Sequence, residues 1–142
     1  MNFEDFVKFC EGLNFYLSCE LKESKIHSAY PVGKLHDIII HFVHYKSFEE
    51  AKQKWDIRKK RLDFNNVRII ATDRDGCNSE LLNRFLKLPY KKVLFSHLPS
   101  SHPDIVYIEG YEKEGQVGIL NAKDNWGSRP YDKFNWVRFL SK

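Results

Sequence analysis

Asp37-Ile38-Ile39-Ile40-His41-Phe42-Val43-His44 is the stretch on which the fold turns. It is β-branched and almost continuously apolar, as a strand covered on both faces should be. Ser47-Phe48-Glu49-Glu50 follows at once and forms a capping box, in which the serine hydroxyl meets the Glu50 amide and the Glu50 carboxylate reaches back. The spacing predicts a helix over 48–61 that buries Phe48, Ala51 and Trp55. Residues 67–72 (VRIIAT) read as a second strand. Asn78 or Ser79 then opens a helix carrying Leu81, Leu82, Phe85 and Leu86, which stops before Pro89. Residues 93–96 (VLFS) read as a third strand. Strand, helix, strand, helix, strand with short links over 36–97 is the signature of a parallel sheet with right-handed crossovers.

The flanks are less regular. Within 1–35, Asn2 caps a helix in which Phe3, Phe6, Val7, Cys10 and Leu13 recur at helical spacing. Residues 15–21 read as a short strand, and 22–35 as a polar loop broken by Pro31 and Gly33. Within 98–142, a strand over 105–108 is followed by a glycine-bearing loop over 110–118 and a terminal helix over 131–140. The whole reading is one α/β domain over 1–142: a three-layer sandwich around a mainly parallel, Rossmann-like sheet, with a strand-rich C-terminal extension.

Composition limits what such a domain can do. The chain has 142 residues, 42% hydrophobic and 30% charged, which is globular and excludes a mainly disordered chain. Its longest aliphatic run, Ile38-Ile39-Ile40, is far short of the ~20 residues that cross a bilayer. Met1-Asn2-Phe3-Glu4-Asp5 is acidic and amphipathic, so no secretory signal is expected and a cytoplasmic location follows. The three cysteines, Cys10, Cys19 and Cys77, form no CxxC pair and point to a reducing compartment. A net charge of +4 is too small to demand a nucleic-acid partner. The basic run Lys52, Lys54, Arg58, Lys59, Lys60 and Arg61 ends a helix, where cations complement the dipole, and reads as a solvated face.

Ligands of open parallel sheets bind outside the carboxyl ends of the strands. Here those ends are His44-Tyr45-Lys46, Asp73-Arg74-Asp75-Gly76-Cys77 and His97, so His44, Asp73, Asp75 and His97 are the candidate catalytic residues. Asp73 and Asp75 can bracket a hard cation such as Mg²⁺ or Mn²⁺, or one carboxylate and one imidazole can act as base and acid. Asp-Arg-Asp-Gly is equally ordinary turn chemistry. Arg74, Lys46, Tyr45 and Cys77 are candidate substrate contacts, Cys77 also as a thiolate before a helix start or simply as a small half-buried residue. His36 and His41 read as structural, and His102 as a loop residue. Glu112, Glu114, Gly115 and Gly118 make a poor phosphate turn, because their carboxylates repel phosphate.

Several blocks resemble a bacterial family catalogued as domain of unknown function 1919, whose members are often labelled exopolysaccharide biosynthesis proteins. They are Tyr30-Pro31-Val32-Gly33-Lys34-Leu35, His41-Phe42-Val43-His44-Tyr45-Lys46-Ser47, Arg58-Lys59-Lys60-Arg61 and Thr72-Asp73-Arg74-Asp75-Gly76-Cys77. Leu88-Pro89-Tyr90-Lys91, the stretch 110–118 (GYEKEGQVG) and 131–137 (YDKFNWV) continue the likeness to the C-terminus. The resemblance implies a link to surface-glycan genes and no set mechanism. It also implies that the chain lacks an N-terminal α/β segment of longer members, leaving an open sheet edge through which copies can self-associate.

Two expectations follow. One is a transferase in surface-glycan assembly that takes a nucleotide sugar or an activated acyl donor, with Asp73 and Asp75 on a metal or the acceptor hydroxyl and His44 or His97 as base. The other is a non-catalytic accessory protein that binds a glycan or a synthase partner through Tyr90, Tyr107, Tyr111, Trp126 and Tyr131.

Overall fold

The computed structural model describes residues 1–122 and 127–141 and is a mixed α/β structure with two three-stranded sheets, one antiparallel and one parallel. The chain forms two compact units, residues 1–64 with 76–88 and residues 65–75 with 89 onward.

In the first unit, α1 (Phe3–Glu11) starts where the Asn2 Oδ1 accepts the Asp5 amide at 2.7 Å. It is followed by α2 (Leu13–Ser18), β1 (Leu21–Glu23), β2 (Val32–Leu35) and β3 (Ile38–His41). The three strands form an antiparallel meander in which Leu35 faces Ile38 and Val32 faces His41. Thus the apolar run 37–44 supplies an antiparallel strand of this sheet, not the first strand of a parallel one.

The reason lies in the turn. His36 adopts φ 56° and lets the chain reverse within two residues, without the Asn-Gly signal usual there. Gly33, read as a breaker, is a strand residue: a Cβ there would lie 2.8 Å from Leu21 Cδ1 and 2.9 Å from Phe42 Cε2. The expected strand over 15–21 is largely helix, because Leu13 and Tyr16 bury one face at helical spacing. Tyr16, Leu21, Leu35, Ile38 and Ile40 make the core of this unit.

Two more helices complete it. In α3 (Phe48–Lys59) the Ser47 hydroxyl accepts the Glu50 amide at 3.2 Å, which is the serine half of the expected capping box. In α4 (Ser79–Leu86) Asn78 is the cap, with its Oδ1 accepting the Leu81 amide at 2.9 Å. α4 packs against α1, Phe85 beside Phe3, and Arg84 forks onto Glu11 at 2.7 and 3.0 Å.

The second unit holds β4 (Arg68–Thr72), β5 (Lys91–Ser96) and β6 (Ile105–Tyr107), parallel and in that order. β5 is central, with Val93, Leu94, Phe95 and Ser96 all buried, as a strand covered on both faces must be. Phe95 is ringed by Tyr131, Phe134 and Trp136 at centroid distances of 5.4, 5.3 and 5.9 Å. These rings close over Val93, Ile108, Val117, Leu120 and Phe139. Beyond residue 98, the described residues contain one strand, β6, and the terminal helix α5 (Trp136–Leu140) starts five residues later than the pattern predicts. The delay has a local cause: Asn135 caps α5 by accepting the Arg138 amide at 2.9 Å, while residues 130–133 form a separate 3₁₀ turn.

Candidate functional site

The carboxyl ends of the three parallel strands carry the site. Thr72 is the last residue of β4 and pairs with Phe95, and the Asp73 amide extends the ladder to the Phe95 carbonyl at 3.1 Å. Asp73 therefore sits one residue beyond β4 and His97 one residue beyond β5. Tyr107 ends β6.

Asp73 is buried, with 8% of its surface exposed. Its Oδ2 accepts the His97 backbone amide at 2.7 Å and lies 2.5 Å from the His97 ring Nδ1. Its Oδ1 accepts the Val117 amide at 2.8 Å. Burial alone would raise the pKa of this carboxyl group. The Val117 and His97 amides, the His97 ring and the Ser96 hydroxyl outweigh burial and hold it below the ordinary aspartate value. The group is therefore a carboxylate near neutral pH and acts as an acceptor. It follows that the His97 Nδ1 bears the proton, and in the neutral ring Nε2 then carries the free lone pair. The ring retains 14% of its surface exposed, and among the described residues nothing bonds to Nε2.

A second acid stands near. Glu112 accepts a hydrogen bond from the Tyr107 hydroxyl and another from the Gly110 amide at 3.0 Å. The phenol, the backbone amides of Gly110 and of Glu112 itself, and the nearby His97 bring the Glu112 carboxyl down to about 2. The same bond pushes the Tyr107 hydroxyl up to about 12, so it remains a proton donor near neutral pH. Gln116 and Val117 are not apparent as site residues from sequence patterning, which reads Tyr107 only as a binding face and Glu112 only as part of a poor phosphate turn. Val117 reaches Asp73 across 44 positions by a backbone amide that has no residue signature, and Gln116 reaches the Asp75 amide from the same loop. The family-like block GYEKEGQVG is the signal that marks Glu112, Gln116 and Val117.

The other predicted residues fall elsewhere. His44, Tyr45 and Lys46 lie in the turn after β3, in the first unit, because β3 belongs to the antiparallel sheet. His44 and Lys46 are exposed there. Cys77 is also in the first unit, half-buried just before the α4 cap. Asp75 belongs to the second unit, exposed at φ 59°, and its amide donates to Gln116 Oε1 at 3.2 Å. Arg74 beside it is half-buried. Among the described residues, no group of three or more His, Cys, Asp or Glu side chains is arranged to hold a metal ion. Tyr131, a candidate binding face, instead packs against Phe95, and Trp126 lies outside the described residues. Among the described residues, no helix is long and apolar enough to cross a membrane.

A family model described as "Domain of unknown function (DUF1919)" matches residues 1–141. A protein of Haemophilus influenzae described as "Uncharacterized protein" is 39% identical over 141 residues, covering 97% of this chain and 68% of that protein.

Proposed function

From the premise that this chain belongs to the DUF1919 family, we propose that it is a transferase in bacterial surface-glycan assembly, with His97 as its general base. The observation that carries the reading is the Asp73 Oδ2–His97 Nδ1 contact of 2.5 Å at adjoining strand ends, which leaves Nε2 unbonded among the described residues. In the proposed step, Nε2 takes the proton of an acceptor hydroxyl as its oxygen attacks the carbonyl carbon of an acyl donor or the anomeric carbon of a nucleotide sugar. The donor's leaving group departs with the electron pair, and Asp73 stabilises the imidazolium that forms. The step as written needs no metal, because the Asp73 oxygens act on the Val117 and His97 amides and the His97 ring. Strand carboxyl ends as the site are what the proposal keeps from the Rossmann-like expectation. Cytoplasmic location and self-association through a sheet edge belong to the same proposal.

The test is a panel of acyl-coenzyme A and nucleotide-sugar donors with a glycan acceptor, product formation being read by mass spectrometry. Transfer by the wild type that falls at least 100-fold in His97→Ala, with the fold retained, supports the base. Equal turnover in both removes it.

The second reading, a glycan- or partner-binding accessory protein, is favoured by a cavity of about 450 Å³ in the second unit. Tyr107, Tyr111, Phe134, Glu109, Arg129 and Lys133 line it. Binding of a glycan that is unchanged in His97→Ala, without turnover of any donor, would select this reading.

A further inference from the structure

Residues 52–61 carry six cations and a single acid, Asp56. Asp56 engages Lys52 at 2.9 Å and Lys59 at 3.4 Å. Lys54, Arg58, Lys60 and Arg61 form no ion pair among the described residues. The dipole of α3 accounts for cations near its end but not for their company. Ile57, Leu62 and Phe64 are exposed by 40, 38 and 46% among them, large apolar side chains that a merely solvated face does not need. The same part of the first unit holds a groove of about 350 Å³ whose walls include Phe9, Leu17, Phe42 and Trp55 together with Arg58 and Lys59.

We propose that this face docks on an anionic phospholipid membrane, with the unpaired cations on the headgroup phosphates and the groove receiving an acyl chain. Charge complementarity selects an anionic surface, and the apolar residues select a lipid. A nucleic-acid backbone would satisfy the cations but leave Ile57, Leu62 and the groove walls facing water. Each cation brought to an anionic leaflet strengthens partitioning about fivefold, and the exposed apolar side chains add an interfacial contribution that salt does not screen.

The test is co-sedimentation of the full chain with phosphatidylcholine vesicles, with and without phosphatidylglycerol, in low and raised salt. The expected result is binding only to the phosphatidylglycerol vesicles, weakened by salt. Arg58→Gln with Arg61→Gln should lower the partition coefficient about 30-fold, and Leu62→Ser with Phe64→Ser should lower it while leaving the charge intact. Melting temperatures of both variants accompany the assay. If either variant fails to fold, the lipid and salt dependence of the wild type decides. Equal binding to neutral vesicles, no binding to either, or binding to a duplex oligonucleotide in place of vesicles overturns the proposal.

Discussion

Asp73 holds His97 at two points with one oxygen: Oδ2 takes the His97 backbone amide at 2.7 Å and the ring Nδ1 at 2.5 Å. Backbone and ring are thus fixed by the same carboxylate, so the orientation of the imidazole follows from the position of β4 against β5. With its Oδ1 on the Val117 amide, the aspartate also ties the loop after β6 to the strand ends.

An amide in place of that carboxylate can present its NH₂ to the ring and so favour the other tautomer. Asp73→Asn is therefore predicted to lower kcat by about 10² to 10⁴-fold with little change in KM. Steady-state kinetics on the donor identified by the panel, with the circular dichroism spectrum as a control, check it.

The same residue gives stability a pH dependence. Its folded pKa lies below the unfolded value of about 3.9, so its contribution is complete above that value. It is lost as pH falls further, through the lower folded value. Asp37 acts with the same sign: Lys8 and Tyr16 hold it at about 2, with bonds of 2.9 and 2.8 Å. Urea midpoints measured from neutral pH downward should fall below about pH 4. Asp73→Asn and Asp37→Asn should each flatten that fall.

Much of this arrangement is legible in the sequence, for reasons that differ by element. The caps at Asn2, Ser47 and Asn78 are side-chain chemistry and mark three helices correctly. Strands 68–72 and 91–96 are legible because each holds a short apolar run, residues 69–71 and 93–95, flanked by polar residues. The hairpin of β2 and β3 is not, since its turn rests on His36 in a left-handed conformation and Gly33 looks like a break. That miss put His44 on the wrong sheet. Asp73 and His97 are legible together because each directly follows a parallel strand, whereas Glu112 and the Val117 amide arrive through a loop with no periodicity.

Cys10 is buried, and burial pushes its thiol up to about 12. With an aromatic disulfide reagent at mildly alkaline pH, Cys10 should stay unmodified in the native chain and react once denaturant is added. Peptide mapping of the modified cysteines checks this. Rapid native labelling of Cys10 would mean that α1 does not pack as described.

Phe95 is fully buried under three aromatic rings in the second unit. Phe95→Ala should cost about 3–5 kcal/mol, whereas Asn78→Ala, which removes only the α4 cap, should cost about 1 kcal/mol. Denaturant unfolding followed by far-ultraviolet circular dichroism separates the two.

Heteronuclear NMR of the imidazole nitrogens in the intact chain, with His97 assigned by comparison with His97→Gln, tests most directly whether Asp73 holds a base ready. The prediction is a single Nδ1–H tautomer of neutral His97 in the wild type, lost in Asp73→Ala. A wild-type ring found as the Nε2–H tautomer, or one unaffected by loss of the Asp73 carboxylate, would contradict it.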